Sequence, residues 1–218
     1  MPATRHDPTP SRDEVLTTFR RETLLRAARR VFGARGFDEA TVDAIASEAR
    51  VAKGTVYLYF PSKQAIYDAA FDAGLDDLLR RTDARLRAAA DPRAAIRAFI
   101  EVRLEYFQEQ PDFFRMYLAD VSRQIAGRAP KTGRTDLLGP QTRALAAHFT
   151  RAVKAGALRD VDPGAAAHAV FDMTRGLIAR RLLSRSRTNV ADDIAFLSEF
   201  LWTGLQPPPP STPTGPAA

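Results

Sequence analysis

The segment Thr41 to Lys63, TVDAIASEARVAKGTVYLYFPSK, sets the tightest constraint on what this chain can fold into. Val42, Ile45, Ala46 and Ala49 recur at helical spacing behind Thr41, whose hydroxyl is placed to cap the free N–H groups of a helix about two turns long. Arg50 to Gly54 then joins a helix stop to small residues, so that a second short helix, Lys53 to Tyr59, turns sharply away. Val56 and Phe60 should face inward, because so short a helix is unstable alone and must be fastened by packing. Pro61 ends it, and Ser62 can cap the helix that follows. This succession is a helix-turn-helix.

The outward residues of the second helix carry its chemistry. Lys53 is a phosphate-seeking cation, Gly54 lets the backbone approach a sugar-phosphate edge, and Thr55 can donate to phosphate or touch a thymine methyl. Tyr57 and Tyr59 add hydroxyl donors. Lys63 falls in the first turn of the next helix, where the dipole disfavours a cation, so an external phosphate at that positive end explains it better than solvent alone. The plainer alternative is a solvated surface lysine.

With TLLRAARRVFGARGFDEATVDAIASEA upstream, VAKGTVYLYFPSK resembles the TetR family of transcriptional regulators over about the first third of the chain. The resemblance implies that Thr41, Lys53, Gly54, Thr55, Tyr57, Tyr59 and Lys63 occupy operator-contacting positions. Two residues depart from the pattern. Arg50 stands where a glycine is usual; a left-handed backbone there costs on the order of 1 kcal/mol, unless the turn differs or Arg50 itself reaches DNA. Ala52 replaces the common Ser or Thr, removing a hydroxyl that could cap the helix or bond a phosphate.

Charge agrees with a polyanionic partner without requiring one. The chain holds 32 Lys and Arg against 26 Asp and Glu, a formal +6, but residues 1–63 hold 11 basic and 8 acidic side chains, so any field must come from arrangement. There is no cysteine, which excludes disulfides, thiolate metal sites and Cys nucleophiles. The N-terminal residues lack the apolar run of a signal peptide and no segment approaches a membrane span, so a cytoplasmic protein without a membrane partner is expected. His6, His148 and His168 are far apart and form no HxxxH or HExxH pattern; P-loop, GxSxG and GxGxxG motifs are lacking. An enzyme is the weaker class, and neither cofactor nor metal is expected.

The expected organisation is all-α. Residues 1–12 form a disordered arm that either tracks DNA through Arg5 and Arg12 or is inert; residues 13–61 form a three-helix DNA-binding domain with the helix-turn-helix. A helical ligand-binding and dimerisation bundle spans 62–206, and a Pro-rich disordered tail 207–218. Val15, Phe19, Leu24, Ala27, Ala28, Val31 and Phe32 mark a first helix stopping at Gly33 to Gly36, with Phe37 closing onto the small core. A long helix follows Pro61 through Leu86, with Gly74 a weak point. Further helices are expected near Pro92–Gln110, Pro111–Gln124, Leu138–Ala155, Pro163–Ser184 and Val190–Leu205, and a loop at 127–136.

The helix from Pro92 groups Ile96, Phe99, Ile100, Leu104, Tyr106 and Phe107 on one face, with Glu101, Glu105 and Glu109 opposite and Arg103 near the apolar centre. A later helix groups His168, Phe171, Ile178 and Leu182, with Arg175 among them. A buried guanidinium must be paired. Either a bundle carboxylate such as Asp120 or Asp172 does so, or the side chain reaches water past the core edge, or Arg103, Arg175 or both hold the anionic or carbonyl end of a mostly apolar ligand. The family resemblance implies such a small-molecule cavity. Phe107, Phe114, Tyr117, Phe171 and Met173 are candidate lining residues, beside Phe99, Phe113 and Phe149, although aromatics at helical spacing are more often plain core.

On the last helix Val190, Ile194, Leu197 and Leu201 form one stripe while Phe196, Phe200 and Trp202 point elsewhere, which calls for a second partner. A two-fold four-helix interface between subunits supplies one and matches the family's usual dimer. The expected protein is a homodimeric repressor released from a near-palindromic double-stranded operator by a small-molecule inducer. The alternatives are a ligand-independent DNA-binding or architectural member acting through a protein partner, and a helical enzyme or small-molecule carrier.

Overall fold

The computed structural model describes residues 11–129, 131–134, 136, 139–184 and 189–207. The expected arm up to residue 10 and the tail from residue 208 lie outside them. The described residues form nine helices and no strand: α1 Arg12–Glu39, α2 Val42–Ala49, α3 Lys53–Tyr59, α4 Lys63–Ala88, α5 Pro92–Glu109, α6 Pro111–Ile125, α7 Gly139–Lys154, α8 Pro163–Ser184 and α9 Val190–Leu205.

Local chemistry sets most of these boundaries. Ser11 and Glu14 form a capping box at the start of α1, the serine hydroxyl accepting from the Glu14 N–H at 3.2 Å and the glutamate from the Ser11 N–H at 2.7 Å. The helical dihedrals of α1 break at Gly36, with φ 74°, within the expected stop at Gly33 to Gly36, and one more turn runs on to Glu39. Asp91 caps α5 through the Ala94 N–H at 2.7 Å, with Pro92 in the first turn where a missing N–H costs nothing. Gly74 does not weaken α4, which continues through it. A Cβ there would lie 2.6 Å from the Phe113 ring, so the glycine admits an aromatic side chain of α6 against the α4 backbone.

The chain packs as two compact units, Met1–Leu75 with Asp112–Thr135, and Asp76–Pro111 with Asp136–Ala218. The first takes in the start of α4 and α6 from Asp112 onward, beyond residues 13–61. Its core joins Leu24, Ala28 and Phe32 of α1 to Ile45 of α2, Val56 of α3 and Ile66, Tyr67 and Phe71 of α4, all buried. The Tyr67 ring meets Phe32 and Phe37 edge-on at 4.9 and 5.1 Å, and Phe71 meets Phe113 at 5.5 Å.

Asp120 is an interior anchor of the same unit. Fully buried, it accepts the N–H groups of Lys131 and Thr132 at 2.9 and 3.1 Å and a longer bond from the Tyr67 hydroxyl at 3.4 Å. Burial first, then the carboxylate beside it, pushes the Tyr67 hydroxyl well above its usual range, which keeps it a neutral donor. Lys131 also reaches Asp38 at 2.9 Å, and Arg134 pairs with Asp72.

In the second unit α5 is central, packing on α7, α8 and α9. Its buried face is the one expected, and the opposite face is paired on the surface: Glu105 with Arg85 at 3.1 Å, Glu109 with Arg81 at 2.8 Å. On α9, Ile194, Leu197 and Leu201 are buried, whereas Phe196 and Phe200 stand 71 and 57 % exposed and stack on each other at 6.1 Å. Asp193 receives Arg180 at 3.1 Å and Arg181, tying α9 to α8. No helix among the described residues is long and apolar enough to cross a membrane.

Candidate nucleic-acid interface and interior cation

Thr41 caps α2 as its sequence position suggests, its hydroxyl accepting from the Ala44 N–H at 3.1 Å. The turn after α2 passes through Arg50 in the left-handed region, φ 57° and ψ 43°, and the Arg50 N–H closes it on the Ser47 carbonyl at 3.1 Å. The backbone therefore does require the conformation that a glycine would adopt without strain. Arg50 itself is exposed. Ala52 occupies the N-cap of α3 with no side-chain cap, although its backbone carbonyl accepts the Thr55 N–H at 2.9 Å.

The helix α3 is held on one side only. Val56 and Phe60 are buried, and they pin α3 against its neighbours, while Lys53, Gly54 and Tyr57 are exposed and Thr55 and Tyr59 half-buried. A Cβ at Gly54 would meet nothing within 4 Å, so no internal contact demands glycine there. Lys53 donates to Asp43 at 2.8 Å across the turn, and this bond raises the lysine pKa. The pair is exposed on both sides, so it orients the ammonium without committing it energetically.

Lys63 differs from its expected surroundings. Its ammonium donates to the Ala40 carbonyl at 2.9 Å and the Asp38 carbonyl at 3.3 Å, and lies 4.7 Å from the centre of the Phe37 ring. A cation in the first turn of α4 is thus explained by carbonyl dipoles at the end of α1 and an aromatic face, partners that only the folded chain assembles. Residues that sequence reasoning passed over also belong to this surface. Asp43 sits ten positions from Lys53, without a sequence signal linking them. Leu58 is 82 % exposed although aliphatic, visible only by laying α3 out as a wheel about Val56.

Of the proposed ligand residues, the second unit brings Arg103, Phe107, Phe171 and Arg175 together, the Arg175 guanidinium lying 5.7 Å from the Phe171 ring centre. Arg103 is 1 % exposed, its guanidinium 4.7 Å from the Phe171 ring centre, 5.2 Å from Phe99 and 5.7 Å from Phe107. Its Nη2 donates to the side-chain amide oxygen Oε1 of Gln141 at 2.7 Å. One of its partners is thus the amide of a residue in the first turn of α7, 38 positions away, which nothing in the sequence singled out. Arg175 is only half-buried and pairs with Asp172 at 2.9 Å, one of the alternatives its pattern left open. Met173 is 38 % exposed, and His168 faces outward with its ring bonded to the Gly164 carbonyl at 2.9 Å. Phe114 and Tyr117 are buried in the first unit, their rings 6.4 Å apart.

The short α3, its sharp entry from α2 and the exposed Lys53, Gly54 and Tyr57 define a helix-turn-helix DNA-binding domain of a transcriptional regulator. The model of bacterial regulatory proteins of the tetR family matches residues 24–70, and the chain belongs to that family. The transcriptional activator FasR of Mycolicibacterium smegmatis is 34 % identical over 97 residues, 44 % of each chain. The regulator RutR of Escherichia coli K12 is 33 % identical over 149 residues, 66 % of each chain. The aligned region thus spans between about a third and two thirds of the curated relatives first matched. The regulator FadR of Bacillus subtilis, solved in complex with stearoyl-CoA, superposes with a TM-score of 0.69 over 84 % of this chain and 98 % of its own at 19 % identity, a likeness of fold.

Proposed function

We propose that the protein is a cytoplasmic, homodimeric transcriptional repressor that holds a near-palindromic operator and releases it when a small molecule occupies its C-terminal helical domain. The observation that carries the reading is α3: a helix pinned by Val56 and Phe60 that turns Lys53, Gly54, Thr55, Tyr57 and Tyr59 toward its surroundings. Thr41 and Arg50 flank it, and Lys63 braces the domain as much as it offers charge. In this reading residues 13–61 engage DNA and residues 62–206 hold the ligand and the second subunit. The exposed, stacked Phe196 and Phe200 support a subunit interface built on α9, which would double the half-sites read.

Arg103, framed by Phe99, Phe107 and Phe171, supports a mostly apolar ligand with an anionic or carbonyl end. The acyl-CoA bound by the FadR neighbour has that chemistry. The ligand acts only through its differential affinity for operator-bound and free forms. The test begins with selection of bound sequences from random DNA by the full-length protein, followed by titration of the winner with stearoyl-CoA. A palindromic winner bound by a dimer and released by the thioester supports the whole reading. A winner that stearoyl-CoA and free fatty acids leave bound removes the acyl ligand, and no enrichment by folded protein removes the operator.

A further inference from the structure

We infer that Leu58 is the base-reading residue of α3 and that it reads the C5-methyl group of a thymine; this rests on the DNA-binding reading above. At about 100° per residue, Gly54 and Leu58 each fall within about 20° of the pole opposite buried Val56, while Thr55 and Tyr57 lie about 80° from it and Lys53 and Tyr59 about 120°. Exposure follows the same order where it is sharpest: Leu58 is 82 % exposed, Tyr57 47 % and Val56 0 %. The residue that projects farthest from the domain is therefore aliphatic, and the hydroxyls and the ammonium are set to its sides.

Gly54 makes that projection useful. Helical side chains lean toward the N-terminus, so Leu58 leans in the direction of the bare backbone one turn earlier, and beyond the helix's own backbone and the neighbours of Gly54 no atom lies within 4 Å of where a Gly54 side chain would begin. The outer pole of α3 is thus a smooth strip of backbone and one branched apolar group. In the major groove the apolar feature on a base edge is the thymine methyl, which distinguishes T·A from every other pair. Lys53, steadied by Asp43, and the Tyr57 and Tyr59 hydroxyls lie on the flanks, where phosphates border a groove occupied by the helix. An isolated exposed leucine needs no explanation on an ordinary surface. Here the ammonium and hydroxyls that flank it fit a polyanion.

The experiment uses the operator selected by the full-length protein. Each thymine in a half-site is replaced in turn by deoxyuridine, which removes the methyl and keeps every hydrogen-bonding group. One position should weaken wild-type binding about three- to five-fold, the worth of one buried methyl. Leu58→Ala, a substitution at an exposed position by the strongest helix former, should weaken binding to the thymine operator comparably and be indifferent to the same methyl. Thermal unfolding of the variant checks that the domain is intact. An operator bound well yet insensitive to every methyl, or a Leu58→Ala variant still sensitive at the same position, overturns the inference while leaving the DNA-binding reading standing. Failure to select any operator overturns both.

Discussion

Lys53 and Arg103 are both cations on helices fastened by apolar packing, and the fold treats them in opposite ways. Helix α3 has 7 residues and buries only Val56; its cation is steered by an exposed Asp43 and remains available. Helix α5 has 18 residues and buries nine of them, Arg103 included. There the charge faces three rings and an amide, with the whole side chain inside. The difference separates two uses of a cation. An exposed ion pair contributes little to stability and so can be exchanged for a phosphate. A buried guanidinium is part of the packing, and any role it has toward a ligand is exercised without leaving its place.

The largest break in this comparison comes from Arg103→Ala. Loss of the side chain removes contacts with Phe99, Phe107 and Phe171 and the donor that Gln141 accepts, at a cost of about 2–4 kcal/mol. The urea midpoint should fall accordingly, and Arg103→Met, which keeps volume without charge, should recover part of it. An unchanged midpoint in Arg103→Ala would mean the side chain is not packed as described. Next come two glycines that differ as the two cations do. Gly74→Ala forces a methyl to 2.6 Å from the Phe113 ring and should cost about 1–3 kcal/mol. Gly54→Ala meets nothing and should stabilise α3 by up to about 1 kcal/mol while weakening operator binding. Equal destabilisation in both would erase the distinction.

How far the sequence discloses this depends on whether a property is local. The starts of α2 and α4 were legible because Thr41 and Ser62 cap within three residues of themselves. The burial of Arg103 was legible too, since periodicity places it among Phe99, Ile100 and Phe107 on one face. Its partner was not: Gln141 is 38 positions away and nothing local distinguishes it from a surface glutamine. Lys63 shows the same limit from the other side. Its place in the first turn is a local fact, but the carbonyls of Asp38 and Ala40 that receive it are brought there by tertiary folding. Helix dipole reasoning identified the need for negative charge and assigned it outside the chain.

Lys53→Ala separates affinity from stability. The folded state should change by less than about 0.5 kcal/mol, because the pair with Asp43 is exposed. Operator binding should weaken, and the slope of log affinity against log salt should flatten by about one. Asp43→Asn should keep the slope, since the cation remains. A slope unaffected by Lys53→Ala would take the lysine off the phosphate and leave its bond to Asp43 as its purpose. Arg50→Gly should give a smaller gain, up to about 1 kcal/mol in stability, by relieving the residue's left-handed backbone. If that gain is accompanied by weaker binding, the arginine side chain, and not the turn, is what the substitution has cost.

The smallest expected effect sharpens the comparison through pH. Half-buried His148 on α7 has a pKa held below its usual 6.5, first by burial and then by the charge of Arg151, against a smaller opposing pull from Asp91. The native state therefore disfavours the imidazolium relative to the unfolded chain. The stability contributed by keeping the ring neutral is complete above 6.5 and declines as pH falls from there through the lower native value. Residues 11–75 and 112–135 contain no histidine, so the described part of the first unit lacks this response. Lowering the pH from about 7.5 to about 5.5 should speed amide exchange in α7 more than in α2, and His148→Gln should reduce the difference. An equal response of both helices, unaltered in the variant, would place the acid sensitivity in the carboxylates common to the two units and not in the histidine.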